Sequence, residues 1–558
     1  MDIRLPNPIS ITATPPTVAH SAGEPTGGQA ALDRAPRPTQ TNFKQRNKYG
    51  ILLARALWAV PLVVLVGLVL IERVGLIDDS YIFLRYARNA AEGLGPVFNA
   101  GERVEGFSSP LWMLLLATAA SLAVDLESVA WIGGVCFAGL SVVVVALAML
   151  GVPHSRRETD IVLLLALATS PLVVFAAGSG MDSPLFLFCV TAALVSMLGD
   201  QTNKNGVSCR TSIFLLLALL ARSEGALLVG YCGLASLVQQ RSVRRLWLVA
   251  VGMALLLIVR YGYYGDWVPN TAYAKIAFFA AQRWMNGCRY VAEAALAHGP
   301  TLLVAAVSVL WSMRKTGEHR RRLVLLGGWI VLYTGYVIYV GGDNIPGWRF
   351  LLPIVPAMVL LCHAAVAIVR SYVCAEMWRR AVLVTTILLT ASNILAYRSL
   401  RDGYYANMSL AKAWSDVGRW LERTTPPDTV IATPAIGAIG YFGKRTTVDM
   451  LGLTDRTVAT QGQVYGKGAH GHARYHTDYL YERSPDLVVY MSSGRFEQPK
   501  YSLPQRIPKD FGFALYDFAT DGRCELRYEY VTVPLPNGRL VEMLQKRGFA
   551  YDQLASGY

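Results

Sequence analysis

Two adjacent carboxylates open the segment of this chain richest in groups that do chemistry: Ile77-Asp78-Asp79-Ser80-Tyr81-Ile82-Phe83-Leu84-Arg85-Tyr86-Ala87-Arg88-Asn89. Glu92-Gly93-Leu94-Gly95 and Gly101-Glu102-Arg103-Val104-Glu105-Gly106 follow. Helical spacing from Asp78 places Ile82, Phe83, Tyr86 and Ala90 on one face and Arg85, Arg88, Asn89 and Glu92 on another; Gly93 stops the pattern. A carboxylate base beside guanidinium groups suits a reaction that takes a proton from a hydroxyl and expels a phosphate, because the developing charges meet opposite ones already in place. Arginine fits the second task through its bidentate fork. The chemistry implied is group transfer at a membrane surface from a lipid-phosphate donor. A plainer account of the same residues makes Asp78 an N-cap, has Asp79 favour the helix dipole and sends the arginines to lipid headgroups. The sequence leaves both accounts open.

The elements that must position these residues are mostly apolar. The chain has 558 residues, 53% of them hydrophobic and only 16% charged, with a mean hydropathy of +0.35, too apolar for an ordinary soluble protein. Uncharged runs such as Ala56–Ile71, Ile161–Ser179, Leu246–Val259, Leu323–Gly342, Phe350–Val369 and Ala381–Tyr397 have the length of bilayer spans. The net charge of +14 is spread between these runs rather than gathered on one face, so it reads as a topology signal and not as a nucleic-acid surface.

Residues 1–44 are rich in Pro, Thr, Ala and Gly and lack periodicity, which predicts a disordered cytoplasmic tail. Lys44, Arg46 and Lys48 precede the first apolar block, which is then an uncleaved anchor rather than a signal peptide. With a cytoplasmic start, 72–109 is the first external loop. The basic loops at 151–159, 199–211, 239–245, 314–322 and 370–380 all return inside if two short elements fail to cross: 110–124, and the pair 212–221 and 225–238 broken by Arg222-Ser223-Glu224-Gly225. That gives nine crossings, or eleven if both cross. Residues 45–397 form the membrane catalytic domain on this scheme. The tail 398–558, with an amphipathic stretch at Ser409–Thr424 and strand signals at Thr429–Thr433, Leu487–Tyr490 and Arg527–Val533, forms an extracytoplasmic α/β domain. No C-x-x-C spacing occurs among the eight cysteines, so no zinc or redox motif is present. Only Cys288 and Cys524 fall in external segments where a disulfide is permitted.

The run Asp78–Asn89, with Gly101–Gly106 and Pro110-Leu111-Trp112 downstream, resembles the C-type glycosyltransferases (GT-C) that use polyprenyl-phosphate sugars. Within that superfamily it is most similar to the terminal β-(1→2) arabinofuranosyltransferases of actinobacterial cell walls and their bacterial relatives. Further matches are Gly178-Ser179-Gly180-Met181-Asp182, Arg222–Gly225, Gly265–Lys275, Gly341–Arg349 and Val448–Asp455. Two departures are Asp182 and Ser223, where Glu and Pro are expected; a third is His472-Ala473-Arg474, where His-Glu-Lys is expected.

The resemblance implies a polytopic α-helical GT-C fold in a bacterial plasma membrane. It implies transfer of a sugar, arabinofuranose first among the candidates, from a polyprenyl-phosphate donor to an extracytoplasmic glycan or protein acceptor. Carried over by position, Asp78 or Asp79 is the catalytic carboxylate, and Arg85, Lys275 and Arg349 hold the donor phosphate. Asp182, Asp343, His472 and the pair Glu102 and Glu105 are candidates for binding sugar or acceptor, with Trp112 and Trp348 for stacking. A divalent cation stays open. The tail is expected to tune acceptor choice without performing chemistry, since the carboxylate and phosphate candidates precede residue 350. A transporter and a non-enzymatic scaffold or motility factor are the alternatives from other classes; an external domain of about 150 residues gives a transporter nothing obvious.

Overall fold

The structure, a computed structural model, describes residues 58–150, 157–200, 206–239, 241–275, 280–299, 301–302, 306, 318–343, 345–369, 373–469, 472–490 and 512–550. The tail expected over 1–44 lies outside the described residues. The membrane part comprises α1 (Val60–Ile71), α2 (Asp78–Ala91), α3 (Pro110–Ser121), α4 (Leu126–Leu150), α5 (Arg157–Ala168), α6 (Pro171–Gly178), α7 (Ser183–Asp200), α8 (Cys209–Ala221), α9 (Gly225–Val238), α10 (Trp247–Tyr264), α11 (Asn270–Lys275), α12 (Ala280–Ala297), α13 (Glu318–Val340), α14 (Val355–Val369) and the lower half of α15 (Ala375–Thr424). Among the described residues six helices are long and apolar enough to cross a bilayer, and a seventh span arises if α5 and α6, bent by 51°, are taken together. The chain is a multi-pass membrane protein.

The breaks have local causes. The run Ile161–Ser179, read in the sequence as one span, bends where Ser170-Pro171 starts α6: proline fits the first helical position but removes a backbone donor. Ser109 caps α3 through Trp112 N–H, with Pro110 at the first position. Between α8 and α9, Arg222 turns extended and Gly225 lies so close to Ala218 that an added Cβ would come within 2.4 Å of its backbone. By rise per residue α3, α8 and α9 each extend roughly 18–21 Å, short of the ~30 Å hydrocarbon layer.

The boundary expected at 398 falls inside α15, whose 50 residues run about 75 Å as one helix. Its apolar first half lies among the membrane helices; its second half packs on the α/β domain, chiefly against α16 (Ile436–Gly443). The domain continues with β1 (Val430–Thr433) before α16, then β2 (Thr446–Asp449), α17 (Arg456–Gln461), β3 (Gln463–Ala469), β4 (His472–Tyr475), α18 (Thr477–Arg483), β5 (Leu487–Val489), α19 (Phe513–Thr520), α20 (Gly522–Arg527), β6 (Tyr528–Pro534) and β7 (Leu540–Lys546). Its main sheet has the order β2-β1-β5-β7-β6, with β2, β1 and β5 parallel and β7 antiparallel to both neighbours; β3 and β4 form a separate antiparallel pair.

Strand alternation divides the domain's core in two. Ile431, Leu487, Val489, Val541 and Met543 face the α15–α16 side and join the apolar core that continues into the membrane helices. Ala432, Val448, Val488 and Leu544 face the other way, toward Leu480, Tyr481, Phe513 and Phe518 of α18 and α19. The two parts of the chain therefore share one core. Cys288 is exposed, Cys524 is buried, and both are free thiols, so the permitted disulfide is not formed.

Candidate active site

The paired carboxylates at the start of α2 go separate ways. Ile77 is the N-cap, and Asp78 and Asp79 are the first two helical residues, whose side chains diverge by about 100° on a 3.6-residue turn. Asp78 is not the N-cap of its own helix: it caps another. Its Oδ1 accepts from Ala438 N–H at 2.7 Å and its Oδ2 from Gly437 N–H at 3.2 Å, both at the N-terminus of α16. Helix N-termini favour such an anion. Burial raises the Asp78 carboxyl to about 7, against the opposing bond from Ala438 N–H, and the charge of Asp79 adds to the rise. The approach needs glycine at 437, since a Cβ there would lie 2.0 Å from the Asp78 carbonyl oxygen.

Asp79 faces a pocket. It lines the cavity with Asp182, Arg222, Lys275, Asp343 and Arg349, among Ile82, Phe83, Phe107, Met181, Ile345, Phe350 and Leu453. The cavity encloses about 690 Å³ including its mouth, within the range of small-ligand sites. Three carboxylates thus meet three cations brought from five stretches of chain. Arg349 bridges two of them: its Nε donates to Asp343 Oδ2, its Nη2 reaches Asp343 Oδ1 at 3.3 Å and stands 3.9 Å from Asp79 Oδ2. Its Nη1 is buried and meets no acceptor among the described residues.

The loop that launches Arg349 is shaped by glycines. Gly342 holds φ +81 with its Cα against the Tyr290 ring, where a Cβ would lie 2.6 Å from a ring carbon. Trp348 then takes φ +44, a left-handed conformation that costs a bulky residue energy.

Lys275, at the end of α11, has no hydrogen-bond or ion-pair partner among the described residues; burial, then the charges of Arg222 and Arg349, lower its pKa, while Asp343 and Glu224 oppose them. Arg222 is held from two sides, by Asp182 Oδ1 at 3.0 Å and Glu224 Oε1 at 3.0 Å. Sequence reasoning placed Arg222 and Glu224 in a motif and read them as a span interruption. The signal that they belong to the site was their charge at membrane depth.

Several expected site residues lie elsewhere. Arg85 does not reach the pocket: its five N–H groups donate to Phe98 O, Gly440 O, Thr447 Oγ1, Asn99 Oδ1 and Arg445 O at 2.7–3.1 Å. Its side chain also lies over the Phe98 ring at 4.2 Å, and burial together with the nearby Arg88 charge lowers it to about 9. It ties α2 to the α/β domain. Glu102 accepts from Arg483 at 2.7 Å and Asn99 at 2.8 Å; Glu105 takes both arms of Arg260 at 2.6 and 3.1 Å. Neither carboxylate lines the pocket, because each is spent on a structural arginine. Trp112 is buried with its Nε1 donating to Gly180 O, and Trp348 is buried edge-on to His298, so neither offers a free stacking face. The side chain of His472 lies outside the described residues. No group of three His, Cys, Asp or Glu side chains among the described residues stands close enough to hold a metal ion.

Comparison with solved structures settles the fold. The chain aligns with ArnT from Cupriavidus metallidurans, in its crystal structure bound to undecaprenyl phosphate, over 90% of this chain and 98% of that one, with a TM-score of 0.53 at 13% identity. The chain has the GT-C glycosyltransferase fold. In sequence it is 32% identical over 330 residues to a terminal β-(1→2)-arabinofuranosyltransferase of Corynebacterium glutamicum, covering 50% of this chain and 46% of the relative. A protein of the same name from Mycobacterium tuberculosis is 32% identical over 254 residues, covering 40% of this chain and 38% of that one. The chain thus spans less than half the length of these curated relatives. Residues 398–533 match a domain of unknown function (DUF8728).

Proposed function

We propose that this protein transfers a sugar, arabinofuranose, from a polyprenyl-phosphate donor to a glycan or protein acceptor on the outer face of a bacterial plasma membrane. The observation that carries the reading is the pocket itself: the Asp79 carboxylate lines it together with Lys275 and with Arg349, whose Nη1 meets no acceptor among the described residues. The similarity to the named arabinofuranosyltransferases favours the sugar, and the polyprenyl carrier fits a fold shared with a protein crystallised with undecaprenyl phosphate.

In the proposed step Asp79 accepts the proton of an acceptor hydroxyl as its oxygen bonds to the anomeric carbon. The bond from that carbon to the phosphate oxygen breaks, and its electron pair leaves with the polyprenyl phosphate. Lys275 and Arg349 neutralise the charge that builds on this leaving group, and their cationic donors are in place before reaction. Asp343 fixes Arg349, and Asp182 with Glu224 fixes Arg222, leaving Asp182 Oδ2, buried and without a partner among the described residues, for a sugar hydroxyl. The test is incubation of the purified protein with polyprenyl-phosphoryl arabinofuranose and a panel of acceptors, with products read by mass spectrometry. Arabinosylated acceptor in the wild type and none with Asp79→Asn is the expected result; no transfer to any acceptor and no donor hydrolysis by the wild type would refute it.

A further inference from the structure

Lys275 sits at the end of a helix too short to hold itself. Six residues give α11 barely more than one hydrogen-bonded turn, and isolated helices of that length are not stable in water. What fixes it is the α/β domain. At its first residue the buried Asn270 Nδ2 donates to Gly452 O at 2.8 Å, Leu453 O at 3.0 Å and Asp455 O at 3.3 Å. Two residues before Lys275, the Tyr273 carbonyl accepts from Arg474 Nε of β4 at 3.2 Å, while Arg474 Nη1 donates to Gly462 O at 3.0 Å. The turn that Asn270 grips is itself rigid. Asp449 accepts from Leu451 N–H at 2.9 Å and Thr454 N–H at 2.7 Å, and Asp455 caps α17 through Val458 N–H at 3.0 Å.

We infer that Asn270 and Arg474 are positioning residues for Lys275, through which the α/β domain sets the phosphate-facing ammonium of the donor site. The inference rests on the reading that Lys275 holds the donor phosphate. Chemistry dictates the residue at 270. Only a carboxamide of that length presents an N–H₂ to three converging carbonyls; the isosteric aspartate would turn an oxygen toward each of them. Arg474 plays the same part at the other end of α11 with a side chain that bridges two carbonyls. Leu453, between the carbonyls that Asn270 binds, also lines the pocket, so one turn of the domain touches both Lys275's helix and the site.

The test is a double-mutant cycle on the full-length protein in nanodiscs, read as equilibrium binding of decaprenyl phosphate without turnover. Asn270→Asp and Arg474→Ala should each weaken binding about three- to tenfold, the range of a lost hydrogen-bond set, and Arg474→Lys should recover most of the loss. In a Lys275→Ala background the same changes should cost less than about twofold, since residues acting through one group are non-additive. Equal losses in both backgrounds, or no loss from either substitution, would overturn the inference alone. Lys275→Ala binding as tightly as wild type would instead overturn the phosphate role of Lys275 on which it stands. If Asn270→Asp fails to fold, the Arg474 arm completes the cycle.

Discussion

Adjacent residues in the sequence, Asp78 and Asp79 answer to different partners, and the difference assigns their roles. Asp78 has both oxygens bound by backbone N–H groups of α16, whereas Asp79 keeps its carboxylate at the pocket beside Arg349. Asp79→Asn should therefore lower turnover by about 10²–10⁴-fold, with decaprenyl-phosphate affinity changed little, while Asp78→Asn keeps turnover within about tenfold of wild type. Measured kcat in the opposite order would move the base to Asp78. A pH experiment isolates Asp78 further. Its carboxyl is raised in the folded protein, so the stability it lends is complete below its ordinary value of 3.8 and is lost as pH climbs through about 7. The melting temperature of wild type minus that of Asp78→Asn should fall across that window and level off on either side. A difference that rises with pH would mean that the folded protein favours the ionised carboxylate.

At the scale of elements, the contact that separates the two carboxylates is α16 laid with its N-terminus on the start of α2. Gly437→Ala would drive a methyl group into the Asp78 backbone at 2.0 Å. The expected cost is about 1–3 kcal/mol, as for other overpacked sites, seen as a lower unfolding temperature and faster proteolysis of the 430–550 region; unchanged unfolding would show that α16 does not seat there. This contact also marks where the sequence stops being legible. Apolar runs gave the long spans, and short strand-forming runs gave the strands expected at Thr429–Thr433 and Leu487–Tyr490, found at Val430–Thr433 and Leu487–Val489, because both signals are local. The start of α2 at Asp78 was legible for the same reason; motif resemblance named Lys275, Arg349, Asp182 and Asp343 only among a larger set that included Arg85, Glu102 and Glu105, which do not line the pocket. What local pattern cannot carry is the partner 355 or more positions away that claims Arg85 and Asp78. An arginine on a helix face looks alike whether it meets phosphate or five protein acceptors. The bend at Ser170-Pro171 was written in a local signal, proline, but hidden in an otherwise unbroken apolar run.

At the scale of the whole molecule, the α/β domain and the membrane helices are coupled through α15, a shared apolar core and the polar ties at Asp78, Arg85, Glu102 and Asn270. The orientation proposed from charge puts residues near 318 inside and those near 105 and 450 outside. Cysteines placed at 105 and 450 should react with a membrane-impermeant maleimide in intact cells while one at 318 reacts only after lysis, and the reverse pattern would invert the scheme. The coupling changes what loss of the domain should do. A tail concerned only with acceptor choice would leave donor hydrolysis intact when the chain is cut near Arg398. The structure argues otherwise, because that cut falls within α15 and removes Gly437 and Ala438 from Asp78, three of the five acceptors of Arg85, the three carbonyls that hold Asn270 and the Leu453 wall of the pocket. Only Asn99 and the Phe98 carbonyl would still serve the Arg85 side chain. Phe98 O accepts from Nε, so the two terminal nitrogens would keep one bond between them, and a buried charge left so poorly satisfied is strongly destabilising. Truncation near Arg398 should therefore abolish hydrolysis of polyprenyl-phosphoryl arabinofuranose together with transfer, and should weaken decaprenyl-phosphate binding in whatever protein still inserts. Donor hydrolysis at the wild-type rate in a folded truncation, with only transfer lost, would show instead that the membrane helices build the donor site alone.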